Sequence, residues 1–391
     1  MLWHHSLKHR NFLPAVYAAV FFLSFHSAVT LYVNSSFLKT IFSGTEMAAI
    51  FSACALLIML TLSEASHLLR KFGAYSTTIV MILLEGISLL FLPLATSRPL
   101  IAALFILHYV VVTHLFYNFD VFTESESTDE STGATRGLFL TILNLAVIFG
   151  PVTGGLVLGG TNDYSKIYFL STALLLPVLF ITVAYLRDFI DPHYKSVKWG
   201  VIVKKVWKNR DLRSISIANL LMQFFYSWMI IYVPIYLTER MGFSWENIGI
   251  MFGIMLLPFV LFQLPLGWIA DKWIGEKEIL FAGFLFMGMT TASLSFIVSS
   301  SVMAWALLLF GTRVGACAVE VMTETYFFKK IDGSDAGVLG FFRYTAPLSL
   351  LIGPIFASVF LTVFDMRAMF LTLGLIMMSG MYFALQIKDT K

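Results

Sequence analysis

The chain has 391 residues, of which 58% are hydrophobic and only 13% charged, with a mean hydropathy of +0.83. Soluble domains carry about 25% charged residues, so this composition excludes a water-soluble enzyme or binding module and marks a polytopic membrane protein. The net charge of +3 is too small and too scattered to suggest a nucleic-acid partner. Two cysteines in apolar runs, Cys54 and Cys317, read as packing residues rather than a disulfide framework or a metal pair.

In chain order, twelve stretches reach the roughly 20 apolar residues that a helix needs to cross hydrocarbon. They are 12–33, 45–66, 74–95, 99–121, 137–158 and 165–186, then 213–237, 245–268, 279–298, 301–327, 337–362 and 367–387. The polar, basic start (MLWHHSLKHRNF) runs into an apolar stretch longer than a signal-peptide core, with no convincing cleavage site, so a retained first helix is expected. Loops are mostly short, apart from a basic segment after the sixth span. The expected organisation is a six-helix bundle over 1–186, a linker over 187–212 and a second six-helix bundle over 213–391. With both termini cytoplasmic, roughly 19 Lys and Arg fall inside and about 5 outside, which fixes the expected orientation. In the linker, Val197, Val201, Val203 and Val206 alternate with Lys198, Lys204, Lys205 and Lys208, and Trp199 and Trp207 add interfacial anchors. That pattern suits a helix lying on the inner leaflet against anionic lipid; a solvated basic tether is the alternative.

The two halves repeat each other. Asp120-Val-Phe-Thr-Glu124 recurs as Glu320-Val-Met-Thr-Glu324, and Gly150-Pro151-Val-Thr-Gly154-Gly155 as Gly353-Pro354-Ile-Phe-Ala357-Ser358. Phe21-Phe22-x-Ser24 and Phe224-Phe225-x-Ser227 repeat more weakly. A period near half the chain is a signature of transporters built from internal repeats. Proline and glycine inside a span let it bend and approach its neighbours closely. Spans five and eleven are therefore expected at the seam between the halves, with ordinary close packing as the alternative.

Three features together resemble the major facilitator superfamily over essentially the whole chain. The first is the six-plus-six span pattern with its long cytoplasmic linker. The second is the loop Gly267-Trp-Ile-Ala-Asp271-Lys272-Trp-Ile-Gly275-Glu-Lys277. It is similar to the family's G-x-L-x-D-R-x-G-R-R/K loop, with one extra residue before the second glycine. Its counterpart, Ser66-His-Leu-Leu-Arg70-Lys71-Phe72-Gly73, departs from the pattern at Ser66 and Arg70. The third is the GPxxGG run at Gly150, which resembles the signature of the family's antiporters. The resemblance implies an all-α transmembrane fold of twelve helices in two pseudo-symmetric bundles, transport by alternating access and a cytoplasmic latch.

Charged side chains inside spans are costly in hydrocarbon and point to function. Arg313, Cys317, Glu320 and Glu324 fall at i, i+4, i+7 and i+11, on one face of span ten; Thr113, Tyr117, Asp120 and Glu124 form the equivalent face of span four. Two readings compete. In one the acids latch the inward gate, Asp120 and Glu124 against Arg70 and Lys71, Glu320 and Glu324 against Lys272 or Arg343. In the other Asp120 or Glu320 carries a proton. Glu85 stands alone in the apolar third span, and a lone acid there tends to hold its proton, so it is either a further proton candidate or a hydrogen-bond partner of a neighbouring helix. His26, His108 and His114 either bond between helices or relay protons, with His26 and His114 kept as substrate-path candidates. Tyr117, Asn144, Gln223, Tyr226 and Arg313 complete that path, and Gln263 is a further uncharged polar residue in a span. The 38 Phe and 18 Met suit an adaptable apolar cavity wall.

No GxxxxGK[ST] pattern occurs, so direct ATP use is not expected; neither a cofactor nor a metal is expected. The expected protein is a monomeric, multi-pass transporter of the cell (inner or plasma) membrane, with protons and a small-molecule substrate as partners. Its expected activity is proton-coupled export of small apolar or amphipathic molecules. Import of a sugar, nucleoside or organic anion, lipid flipping, and a non-transporting scaffold or enzyme are the alternatives.

Overall fold

A computed structural model describes residues 2–125, 132–192, 199–330 and 341–388, and among these every regular element is helical. Eleven of the described helices are long and apolar enough to cross a membrane. The expected ninth span is present as an 18-residue helix, Glu276–Ser293, that is not among them. It begins three residues before the expected start, so its first turn takes in Glu276, Lys277 and Glu278. The start of the expected eleventh span, 337–340, lies outside the described residues.

The chain divides into two compact units, residues 1–37 with 53–196, and residues 38–52 with 197–391. In the first unit, α1 (Leu2–Leu31) packs against α6 (Thr132–Leu158) and α7 (Ser165–Tyr185). Between α1 and α7 in sequence come α2 (Asn34–Lys39), α3 (Gly44–Phe72), α4 (Ala74–Phe91) and α5 (Arg98–Ser125). Phe12, Val16, Val20 and Leu23 of α1 recur at helical spacing and interlock with Leu115, Phe119 and Phe122 of α5 and Leu175 and Val178 of α7. Lipid is as apolar as these side chains, so fit rather than exclusion from water holds them.

The turn between α3 and α4 is fixed by the beginning of the linker. Gly73 has φ +77, and a Cβ built on it would lie 2.9 Å from Asp191 Oδ2. The Asp191 carboxylate in turn accepts from the Ala74 amide at 2.7 Å, placing a negative charge on the free N–H groups of α4. Asp191→Ala should cost about 1 kcal/mol. Gly73→Ala should cost somewhat more, because it adds a left-handed non-glycine residue and crowds the carboxylate. Thermal unfolding of the detergent-solubilised variants checks both values.

From residue 199 the second unit continues with α8 (Trp199–Lys208) and α9 (Arg210–Ile235), separated by Asn209, whose side chain caps α9 by accepting from Asp211 N and Leu212 N. In α8, Ile202 and Val206 are buried while Val203 and Trp207 are exposed with Lys204, Lys205 and Lys208. Of the expected valines with described side chains, Val206 is buried and Val203 exposed, and α8 packs against α9. Val197, Lys198 and the side chains of Trp199 and Val201 lie outside the described residues. Then follow α10 (Trp245–Leu261), α11 (Gln263–Ile269), α12 (Glu276–Ser293), α13 (Val302–Lys330), α14 (Thr345–Phe360) and α15 (Met366–Gln386). Helix α12 lies against α13 and α15, and α9 against α13, α14 and α15.

The repeated Gly-Pro motifs sit at matching helix contacts. A Cβ on Gly150 would fall 2.4 Å from Ala28 Cβ and 2.6 Å from the Ala28 carbonyl carbon, so α6 meets α1 backbone to backbone. On Gly353 it would fall 2.6 Å from Ser227 Oγ, and Trp228 Nε1 donates to the Gly353 carbonyl at 2.9 Å, joining α14 to α9. Pro151 and Pro354 are buried beside these contacts, Gly154 and Gly155 are buried one turn on, and Gly154 faces the Val29 carbonyl.

Candidate functional site

Two polar constellations sit inside the apolar spans. The first joins α1, α4, α5 and α7. Glu85 is fully buried, and its Oε1 meets His108 Nδ1 at 2.6 Å and His26 Nε2 at 3.1 Å. The acid that stands alone in sequence is therefore flanked by two histidines. His26 Nδ1 lies 2.8 Å from the Ser171 carbonyl, which can only accept, while Ser171 Oγ donates to the His26 carbonyl. That geometry puts a hydrogen on His26 Nδ1. Asn34 Nδ2 lies 3.5 Å from His108 Nε2, and Asn34 Oδ1 accepts from Tyr168 at 3.0 Å, which puts the His108 hydrogen on Nδ1, toward Glu85. One further proton then belongs to the pair His26–Glu85. It lies either on His26, giving an ion pair, or on Glu85, giving two neutral groups. Glu85 Oε2 has no partner. His114, by contrast, turns back on its own helix, bonding the Val110 carbonyl at 2.8 Å.

The second constellation joins α9 and α13. Tyr226 donates to Glu320 Oε2 at 2.6 Å. The same Tyr226 ring, with Phe225, flanks the guanidinium of Arg313, at 5.3 and 4.9 Å from the ring centroids. Arg313 is 1% exposed, whereas Glu320 and Tyr226 are half-buried. Cys317 bonds the Pro258 carbonyl through its sulfur. Of the expected face of span ten, Arg313 and Glu320 therefore meet one tyrosine from span seven, at a position that the sequence marked only as uncharged and polar. This arrangement can hold a proton at a carboxylate within reach of a cation.

The other candidates are more scattered. Gln223, Asn144, Tyr117, Asp120 and Glu324 are half-buried, and the side chain of Glu124 lies outside the described residues. Arg70 and Arg343 are exposed, Lys71 lies over Phe72, and Lys272 lies over Trp268. Asp271 pairs with Lys329 at 2.8 Å, and the same ammonium reaches the buried Glu276 at 2.5 Å. Burial pulls the Lys329 ammonium down, but these two carboxylates outweigh it and hold its pKa above the ordinary lysine value. The stabilisation is complete below the unfolded lysine value of about 10.4 and disappears only as pH rises past the folded one. Neutral pH therefore leaves this clamp intact. Lys330 makes a separate pair with Asp211 at 3.4 Å. Among the described residues no group of three or more His, Cys, Asp or Glu could hold a metal ion.

The sequence profile of the Major Facilitator Superfamily matches residues 16–328. The chain belongs to this family. Within the superfamily, a 112-residue stretch is 30% identical to the multidrug efflux pump Tap of Mycobacterium bovis and of Mycobacterium tuberculosis. That match spans 27% of this chain and 27% of the pump. A solved structure of the nucleoside transporter NupG, a mutant form, superposes with a TM-score of 0.79 at 12% identity, over 97% of this chain and 100% of that one. The likeness is one of fold. Membership of this family makes the protein a membrane transporter and not an enzyme.

The superfamily loop motif also explains a local irregularity. The extra residue between Asp271 and Gly275 is taken up by a π-turn over Ala270–Ile274, closed by Gly275 N on the Ala270 carbonyl at 3.2 Å. A π-turn inserts one residue into a helix without breaking it. Gly275 then reverses the chain at φ +93, and Gly267 lies against Val321 of α13.

Proposed function

We propose that the chain is a proton-coupled secondary transporter that exports small apolar or amphipathic molecules by alternating access between two pseudo-symmetric six-helix bundles. The observation that carries this reading is the Tyr226–Glu320 bond beside Arg313, an ionisable group held half-buried inside a span. Glu320 carries the coupled proton, and Tyr226 senses whether it is there, donating to the carboxylate when the proton has left. One charge crossing 100 mV is worth about 2.3 kcal/mol, enough to sustain a useful gradient. Similarity to the Tap pump over 112 residues and the GPxxGG run support the outward direction.

The twelve-span arrangement includes α12, whose 18 residues at about 1.5 Å each nearly match the hydrocarbon thickness. Both termini face the cytoplasm, the protein works as a monomer in the cell membrane, and α8 rides at the inner leaflet. Arg70, Lys71, Lys272, Arg343, Glu124 and Glu324 serve the cytoplasmic latch, with the Asp271–Lys329–Glu276 clamp holding its loop. Glu85 and Asp120 support the first bundle rather than carry the coupled proton. Import of a solute with an anionic group is the second reading, and the uncompensated guanidinium of Arg313 favours it.

Glu320→Gln separates coupling from transport. In liposomes the variant should still exchange solute at equal concentrations on both sides, while accumulation driven by a pH gradient falls at least tenfold. Full accumulation by the variant would remove Glu320 from the coupling role.

A further inference from the structure

Arg313 is the least satisfied charge in the protein's apolar interior. Its guanidinium is 1% exposed, its Nη1 has no hydrogen-bond partner, and no carboxylate pairs with it among the described residues. What it does touch is two aromatic faces, Phe225 and Tyr226. A ring face attracts the cation but takes no hydrogen bond in the plane of the guanidinium, so the Nη1 hydrogens stay unpaired. Removing such a charge from water without a counter-ion is unfavourable unless something arrives to offset it. Glu320 on the same helix is bonded to Tyr226 instead, and seven residues at about 1.5 Å rise put it two turns, about 10 Å, away.

We propose that Arg313 is the seat of an oxyanion borne by an amphipathic ligand, whose apolar body lies on the rings of Tyr226 and, 6.4 Å beyond it, Phe259. The planar fork of arginine fits a carboxylate, sulfonate or phosphate monoester through two parallel hydrogen bonds, which an ammonium could not supply. The proposal rests on the second reading above, import of a solute with an anionic group, and names a substrate class for it. The groups that face Glu320 are Tyr226 from α9 and Arg313, Cys317 and Glu324 from its own helix. An ionised Glu320 opposes a bound oxyanion through a low-dielectric interior, so the ligand and a proton on Glu320 favour each other.

The test is calorimetric binding to the detergent-solubilised protein. The probes are phenylacetate, benzenesulfonate and phenyl phosphate, with benzamide and benzylamine as neutral and cationic counterparts. At least one oxyanion should bind while the amide and amine do not, and the three acids tell which head group the seat prefers. Arg313→Met should weaken that probe by about 10- to 100-fold. Glu320→Gln should tighten it, on the order of tenfold. If the methionine variant does not fold, Arg313→Lys, which keeps the charge and loses the fork, should show an intermediate affinity. Binding of benzamide or benzylamine as tight as the acids, wild-type affinity in either Arg313 variant, or no oxyanion binding at all overturns the proposal. Solute exchange in liposomes is read separately. Exchange without oxyanion binding removes the seat and keeps the transporter; binding without any exchange keeps the seat and removes the transport reading.

Discussion

Glu85→Ala should be the most damaging single change in the first unit, lowering its stability by about 5 kcal/mol. His108 Nδ1 and His26 Nε2 both bond to Glu85 Oε1, and each buried ring nitrogen left unpaired costs about 1–3 kcal/mol. The space vacated by the side chain adds about 2 kcal/mol, since α1, α4, α5 and α7 all abut it. Glu85→Gln isolates the proton from the shape. Its amide oxygen can still accept from His108 Nδ1, while His26 Nε2 loses its partner and the amide nitrogen has none, at the position where Glu85 Oε2 already has none. The glutamine variant should therefore fold, with a loss of about 1–2 kcal/mol, and keep its proton-driven flux. Unfolding followed by tryptophan fluorescence in detergent, together with flux in liposomes, reads both quantities. A glutamine variant that folds but no longer couples would move the proton site from Glu320 to the His26–Glu85–His108 cluster.

The second large effect separates two positions that the repeat makes look equivalent. Gly150→Val should destabilise by about 3 kcal/mol or more, because the new carbon meets the Ala28 backbone at 2.6–2.8 Å and only a shift of α1 relieves it. Ala28→Gly should rescue it only in part, since it removes the contact at 2.4 Å and leaves the carbonyl. Gly353→Ala should be milder, about 1 kcal/mol. Its nearest neighbour is Ser227 Oγ, a hydroxyl that has no hydrogen-bond partner and can rotate away. Melting temperatures of the three variants in one detergent order them. Equal losses at Gly150 and Gly353 would contradict the asymmetry.

What the sequence reveals here follows from which interactions are local. Apolar run length placed the spans, because a helix in lipid must satisfy its own backbone and so needs no partner to be recognised. At α12 only the bounds moved, from the expected 279–298 to Glu276–Ser293, because Gly275 at φ +93 starts the helix ahead of three charged residues that a hydropathy window reads as loop. Helical spacing put Arg313 and Glu320 on one face, but the tyrosine that both meet, Tyr226, is 94 residues from Glu320, and no periodicity connects them. Glu85 looked solitary for the same reason: His26 and His108 are 59 and 23 residues away, and only the expense of a buried acid signalled that partners had to exist. In α8 the valines alone did not mark the buried side: Val206 shares it with Ile202, four residues earlier, while Val203 is exposed. The extra residue in the Asp271 loop was visible as a departure from the family pattern, yet its accommodation by a π-turn depends on backbone geometry that composition does not encode.

The most direct measurement places the purified protein in liposomes that hold a pH dye, imposes a proton gradient, and adds amphipathic cations, anions and neutral solutes in turn. The account predicts that one chemical class collapses the gradient in wild-type protein and does not in Glu320→Gln. A solute that equilibrates across the membrane without moving a proton would contradict it, and would make the protein a uniporter whose buried acids serve only to hold helices together.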